Sequence, residues 1–177
     1  IQDLQSLYAA HPQVKALGRV LRDDAVRTLF LSGMCASSAP LVFAALACAE
    51  PAVLNRPYLF VLDDAEEAGY FYHDLTQILG ENRVFYFPSS YRRSVKFGQK
   101  DAASEILRTE VLSRMSAGEY PLYIVSYPEA LAEKVVSKRC LSEKTLKLSV
   151  GERVDLVFVE ETLAAFDFRR VDYVYEP

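Results

Sequence analysis

Four short apolar runs punctuate the chain: residues 28–31, 58–62, 84–87 and 122–125. Each is continuous rather than alternating, the pattern of a strand buried on both faces. Between them lie stretches with helical period. Residues 38–50 are alanine-rich and apolar on nearly every side, which predicts a buried helix. Asp63-Asp64-Ala65-Glu66 opens like a capping box. Ala68, Phe71, Tyr72, Leu75, Ile78 and Leu79 then fall on one face, and Gly80 closes that helix. Asp101 opens another, with Ala103, Leu107, Val111 and Met115 recurring every four residues as far as Gly118. Strands alternating with helices of this length predict right-handed βαβ units, a parallel sheet and an α/β fold. Ahead of the first run, Val14, Leu17 and Leu21 mark the face of a leading helix, or of a pair of helices around Pro12.

Beyond about Lys144 the texture changes. Thr145-Leu146-Lys147-Leu148 alternates like a half-exposed strand, residues 154–166 have helical pattern, and residues 170–175 alternate again. This β-α-β piece sets a boundary between a main domain, 1–143, and a second element, 144–177. With no evident partner strand, that element reads as the first part of a domain that continues further. The chain shows no internal repeat and no low-complexity segment.

Composition narrows the class. A chain of 177 residues, 51% hydrophobic and 25% charged, with mean hydropathy +0.04, fits one globular domain with at most a small second element. Disordered and collagen-like chains are excluded on the same grounds. No apolar run reaches the roughly 18 residues a membrane helix needs. The start, Ile1-Gln2-Asp3, has no basic and apolar leader pattern and no Met, so the chain reads as an excised piece of a cytoplasmic protein. Net charge −4 and pI about 5.3 argue against general nucleic-acid binding by this piece alone. Cys35, Cys48 and Cys140 are an odd number without CxxC spacing, which predicts reduced thiols, no disulfide framework and no metal site.

The segment from Ser32 to Pro40 stands where a phosphate-binding loop would, after an apolar run and before a helix. A working loop reads G-x-x-x-x-G-K-[ST]: backbone amides wrap the phosphates, Lys neutralises charge and the hydroxyl holds Mg²⁺. Aligned on Gly33, this chain offers Ser38, Ala39 and Pro40 at the three remaining positions. The expectation is a vestigial loop of Gly33, Ser37, Ser38, Ala39 and Pro40 that closes a turn and binds no nucleotide. Other constellations are weaker. His11 and His73 are far apart in sequence, and His73 falls on the polar side of its helix. Cys35 sits near a helix N-terminus, where a thiolate is favoured, but no histidine base accompanies it in sequence. Asp63-Asp64 and Glu66-Glu67 lie at a strand end, where capping explains them. Residues 89–100 carry Arg92, Arg93, Lys96 and Lys100, two aromatics and no acid. That loop either contacts nucleic-acid backbone or is solvated or docked on a neighbouring domain.

Several stretches in order resemble one family: the degenerate loop, Tyr58-Leu59-Phe60-Val61-Leu62, Ala68-Gly69-Tyr70-Phe71-Tyr72-His73-Asp74-Leu75, and Val84-Phe85-Tyr86-Phe87-Pro88. Glu105-Ile106-Leu107-Arg108, Tyr123-Ile124-Val125-Ser126-Tyr127-Pro128-Glu129-Ala130-Leu131, Leu148-Ser149-Val150-Gly151-Glu152 and the tail Arg170-Val171-Asp172-Tyr173-Val174-Tyr175-Glu176-Pro177 follow. Over nearly its whole length the chain resembles the N-terminal region of the bacterial transcription-repair coupling factors (Mfd). That region is in turn similar to UvrB of nucleotide excision repair. The resemblance implies that residues 1–143 are domain 1a, a RecA-like, P-loop-NTPase-like parallel sheet with flanking helices that no longer turns over ATP. Residues from 144 would begin domain 2, which recruits UvrA, mainly through residues beyond Pro177. It further implies a non-enzymatic, UvrB-like scaffold within an ATP- and Mg-dependent DNA translocase that binds duplex DNA and removes stalled RNA polymerase. UvrB keeps an intact phosphate loop and this family does not, so Ala39 and Pro40 favour the coupling factors over an active UvrB-type ATPase. Arg169 and Arg170 are candidates for an edge of the UvrA interface, with plain solvation the simpler reading.

Overall fold

Two nine-residue helices begin the fold, α1 (Gln2–Ala10) and α2 (Pro12–Val20), hinged at His11 as the sequence around Pro12 suggests. The His11 side chain caps α2 by accepting from the Gln13 N–H, and Pro12 takes the first helical position, where a missing N–H costs nothing. The computed structural model describes residues 2–51, 54–91 and 101–171. It divides the chain into two units, 1–134 and 135–177, each described separately below. The sequence texture had placed the boundary at 143/144.

The first unit continues with α3 (Ser38–Ala49), β1 (Pro57–Val61), α4 (Ala65–Leu79), β2 (Val84–Tyr86), α5 (Ala102–Ala117), β3 (Leu122–Ser126) and α6 (Pro128–Ala132). The three strands form a wholly parallel sheet in the order β1-β3-β2, with Leu59 and Phe85 both level with Ile124. This is a mixed α/β architecture with helices flanking a small parallel sheet. Asp64 caps α4 by accepting from the Glu66 and Glu67 amides at 2.9 Å, which is the role the acidic pair predicted. Gly80, at φ 86°, and Gly118, at φ 70°, end α4 and α5 in backbone conformations that favour glycine.

The pleat sorts the core into two layers. Tyr123 and Val125 of β3 join Ala44–Ala47 of α3 and Ala68 and Leu75 of α4 on one face. Phe43 sits at the centre of that layer, its ring edge-on to Tyr58, Phe60 and Tyr123 at 5.4, 4.6 and 5.0 Å. On the other face, Leu122 and Ile124 pack with Phe85, Phe87 and Val111 of α5. Helix α5 contacts β2 and β3, so β3 is buried at all five residues while β1 is not. Leu59 and Val61, on the α5 face of β1, remain 52% and 51% exposed. The continuous apolar run of β1 therefore belongs to an edge strand with one covered face.

Several expectations need correction. Residues 28–31 form no strand, and Leu29, Phe30 and Leu31 are exposed, Phe30 to 88%. An apolar run favours burial but does not supply a ladder partner; here 29–31 line a cavity against α1 and α2 instead. The buried face of α5 is not the Ala103/Leu107/Val111/Met115 stripe. It runs through Arg108 and Val111, with Leu112 packed alongside, because Arg108 takes a core position through its own hydrogen bonds. Residues 145–148 form no strand, since their alternation finds no neighbour to pair with among the described residues. Of 170–175, residues 170–171 are irregular and the remainder lie outside the described residues.

The second unit holds α7 (Lys138–Glu143) and α8 (Leu156–Ala165). Ser137 caps α7 through the Cys140 N–H at 3.2 Å, and Asp155 caps α8 through the Val157 N–H at 2.9 Å. Neither helix has a fully buried residue, and Leu156, Val157 and Phe158 of α8 are exposed. Among the described residues no helix is long and apolar enough to cross a membrane.

Candidate functional site

The turn before α3 is the position the sequence singles out. Gly33 takes φ +80° and Ala36 φ +45°, a left-handed conformation that costs an L-residue about 1–2 kcal/mol. The turn then closes on itself. The Cys35 N–H donates to Ser38 Oγ at 2.8 Å, the Ser38 N–H to the Cys35 carbonyl at 3.0 Å, and the Leu41 N–H to the Ser37 carbonyl at 3.3 Å. Ser37 is the N-cap residue yet makes no side-chain capping bond. Ala39 is half-buried and Pro40 buried, so neither position offers a cation or a hydroxyl. An anion here would meet a helix N-terminus at which the Cys35 and Ser38 amides already have partners.

Beside this turn lies a largely apolar cavity of about 810 Å³, walled by α1, α2 and residues 29–35. Cys35, exposed, and His11 both line it, so the fold brings to one cavity two residues that the sequence sets apart. His11 Nδ1 is engaged by the Gln13 N–H, which leaves this ring nitrogen a helix cap rather than a base. His73 is exposed on α4, as its place on the polar side predicts.

A second polar cluster was not visible in the sequence. It stands past the C-terminal ends of β2 and β3, the end of a parallel sheet at which open α/β folds bind ligands. Glu133, just after α6, accepts from the Ser90 N–H at 3.1 and 3.0 Å, from Ser90 Oγ at 2.7 Å and from Ser89 Oγ. Arg108 of α5 approaches the same carboxylate at 3.5 Å, with side-chain exposures of 7% and 14% for the pair. Its Nη1 donates to the carbonyls of Pro88 and Ala130 at 2.7 and 3.0 Å, and its guanidinium lies 4.1 Å from the Phe87 ring centre. Tyr127 Oη accepts from the Ser89 N–H at 2.9 Å, and Ser126 Oγ donates to the Phe87 carbonyl at 2.7 Å. Burial raises the Glu133 pKa, but the hydrogen bonds from Ser89 and Ser90 and the Arg108 charge outweigh it and hold the group below the ordinary glutamate value. The Asp101 N–H also donates to the Ser90 carbonyl at 2.7 Å, so the start of α5 is tied to the same point. Chemically this is a buried ion pair in which Arg108 Nη1 is fully engaged while its Nη2 is buried without a hydrogen-bond partner among the described residues.

Nearby, burial and then the neighbouring Tyr127 push the Tyr86 phenol up to about 12, so it stays protonated and donates to the Ala65 carbonyl at 3.3 Å. Arg92, Arg93, Lys96 and Lys100 lie outside the described residues. Arg169 and Arg170 are exposed, and Arg170 pairs with Glu160 at 3.0 Å. No group of three or more His, Cys, Asp or Glu side chains able to hold a metal occurs among the described residues. No protein-family model, curated protein or solved structure matches the chain.

Proposed function

We propose that this chain is a non-catalytic, UvrB-like scaffold module of a bacterial transcription-repair coupling factor. The observation that carries the reading is the turn before α3. In sequence it follows an apolar run and precedes a helix as a phosphate-binding loop would, although residues 28–31 form no strand. It has Ala39 and Pro40 at the lysine and hydroxyl positions and engages the Cys35 and Ser38 amides internally. The parallel sheet with flanking helices is compatible with a RecA-like half, and the ordered sequence stretches supply the family. In this reading the module works in the cytoplasm as a docking and regulatory part of a larger ATP- and Mg-dependent DNA translocase. That machine displaces stalled RNA polymerase from duplex DNA and recruits UvrA, mainly through residues past Pro177. Calorimetric titration with Mg-ATP and Mg-ADP tests it: the scaffold gives no saturable heat at millimolar nucleotide. Saturable micromolar binding would replace the scaffold with an active, UvrB-type nucleotide site. Removing the module from the parent chain should abolish preferential repair of the transcribed strand, and unchanged strand bias would reject the family assignment.

A further inference from the structure

We propose that Glu133 is a two-position latch. In this structure its carboxylate holds Ser89 and Ser90; on their release it turns to the idle Nη2 of Arg108, so that residues 89–91 open locally while the sheet stays intact. The cluster carries an imbalance that points this way. Both Glu133 oxygens are taken by serine donors: Oε1 by Ser89 Oγ and the Ser90 N–H at 3.1 Å, Oε2 by the same N–H at 3.0 Å and Ser90 Oγ at 2.7 Å. Arg108 supplies the cation, yet its Nη1 stands 3.5 Å from the carboxylate, because it donates to the Pro88 and Ala130 carbonyls instead. Its Nη2 is buried with no hydrogen-bond partner among the described residues. A buried donor without an acceptor keeps its desolvation penalty. Here the acceptor that would relieve it lies beside the same guanidinium, occupied by the serines.

Partner exchange removes that imbalance. Once Ser89 and Ser90 leave, water satisfies their N–H and O–H groups. The carboxylate does not stay unpaired, because Nη2, on the same planar group as Nη1, gives it a charge-assisted hydrogen bond. The two positions are therefore closer in free energy than the bonds of the closed form alone suggest. Opening also breaks the Ser89 N–H bond to Tyr127 Oη and leaves that of the Ser126 hydroxyl to the Phe87 carbonyl in place. Several parts of the chain hang on the choice. Ser90 leads into exposed Tyr91, and the Asp101 N–H donates to the Ser90 carbonyl at 2.7 Å, so the residue before α5 is released with it. Glu133 itself stands next to Lys134, the last residue of the first unit. A partner that prefers the open form shifts the balance by its own difference in affinity.

The test is amide hydrogen exchange by NMR on the full 177-residue chain. The Ser90 and Asp101 amides should exchange together and at least about a hundredfold faster than the amides of β3, the mark of a local opening. Arg108→Lys keeps the charge but has no second nitrogen to offer. With β3 protection unchanged, it should slow exchange at Ser90 and Asp101 by about tenfold, the worth of one hydrogen bond to a charged group. A merely structural arginine predicts the opposite sign, so exchange that is unchanged or faster overturns the proposal. Ser89→Ala with Ser90→Ala gives a second reading that does not depend on the lysine variant. Removing both hydroxyls should leave the Glu133 carboxyl titrating below the ordinary glutamate value, because Arg108 takes over as donor. Titration at or above that value means that Nη2 does not engage, and the latch is rejected.

Discussion

The turn before α3 and the cluster around Glu133 are opposites. The turn, from Ser32 to Ser38, has the sequence position of a site, but its side chains are mostly exposed and its bonds are short-range. The cluster joins β2, α5, β3 and α6 across sequence separations of 20 to 44 residues, and its two charges are nearly out of contact with water. What differs is where the hydrogen-bond partners come from. A local turn can be altered at little cost to the fold, whereas a buried pair assembled from four elements fails as a unit. Strength of a sequence signal and strength of the structure at that point are thus separate quantities in this molecule.

Arg108→Ala should have the largest effect. It removes the cation from a buried carboxylate and uncovers Phe87, and a loss of about 3–5 kcal/mol in urea unfolding is expected. Arg108→Met, which keeps the stem but not the charge, should be as damaging; near-wild-type stability for Met would show that the residue acts by filling space alone. Glu133→Gln comes next, at about 1–3 kcal/mol, since an amide cannot accept all the donors that Ser89 and Ser90 present. It also carries a pH signature. The folded-state pKa of Glu133 is depressed, so its contribution is complete above the unfolded value and is lost as pH falls through the folded one. Stability of the wild type should drop more steeply than that of Glu133→Gln as pH falls below the ordinary glutamate range and through the lowered folded-state value, and parallel curves would break the link. Ser38→Ala, in the exposed turn, should cost about 1 kcal/mol or less in the same unfolding experiment. The smallest effect is expected from Ala39→Lys with Pro40→Thr. Restoring two side chains should produce no saturable Mg-ATP binding by calorimetry, because the turn keeps its own amide partners. Binding at micromolar nucleotide would mean that the loop is only two residues from function, and the contrast with the cluster would collapse.

Local patterns carried much of the fold into view. Asp64 and Gly80 bracket α4 because capping is settled within a few residues, and the Ala-rich stretch 38–49 packs as an apolar helix should. Pairing was not legible to the same degree. Residues 28–31 and 58–62 look alike as apolar runs, yet only the second meets a neighbour, and no property of the run itself says so. The cluster was invisible for a related reason. Arg108 occupies a core position of α5 only because the Pro88 and Ala130 carbonyls and the Glu133 carboxylate arrive from elsewhere in the chain. The departure of residues 33–40 from the phosphate-loop spacing, by contrast, is readable directly, since it depends only on which residues stand at fixed positions.

The central place of β3 has a consequence for how the protein is made. β1 and β2 each pair with β3, whose residues 122–126 follow both of them in the chain. During synthesis the two earlier strands emerge with no ladder partner, and α3 and α4 have no completed sheet to pack on. Sheet formation then closes loops of long sequence separation in one late event. A nascent chain stopped before Leu122 should show helical signal without protected strand amides, and one extended past Tyr127 should acquire protection in all three strands together.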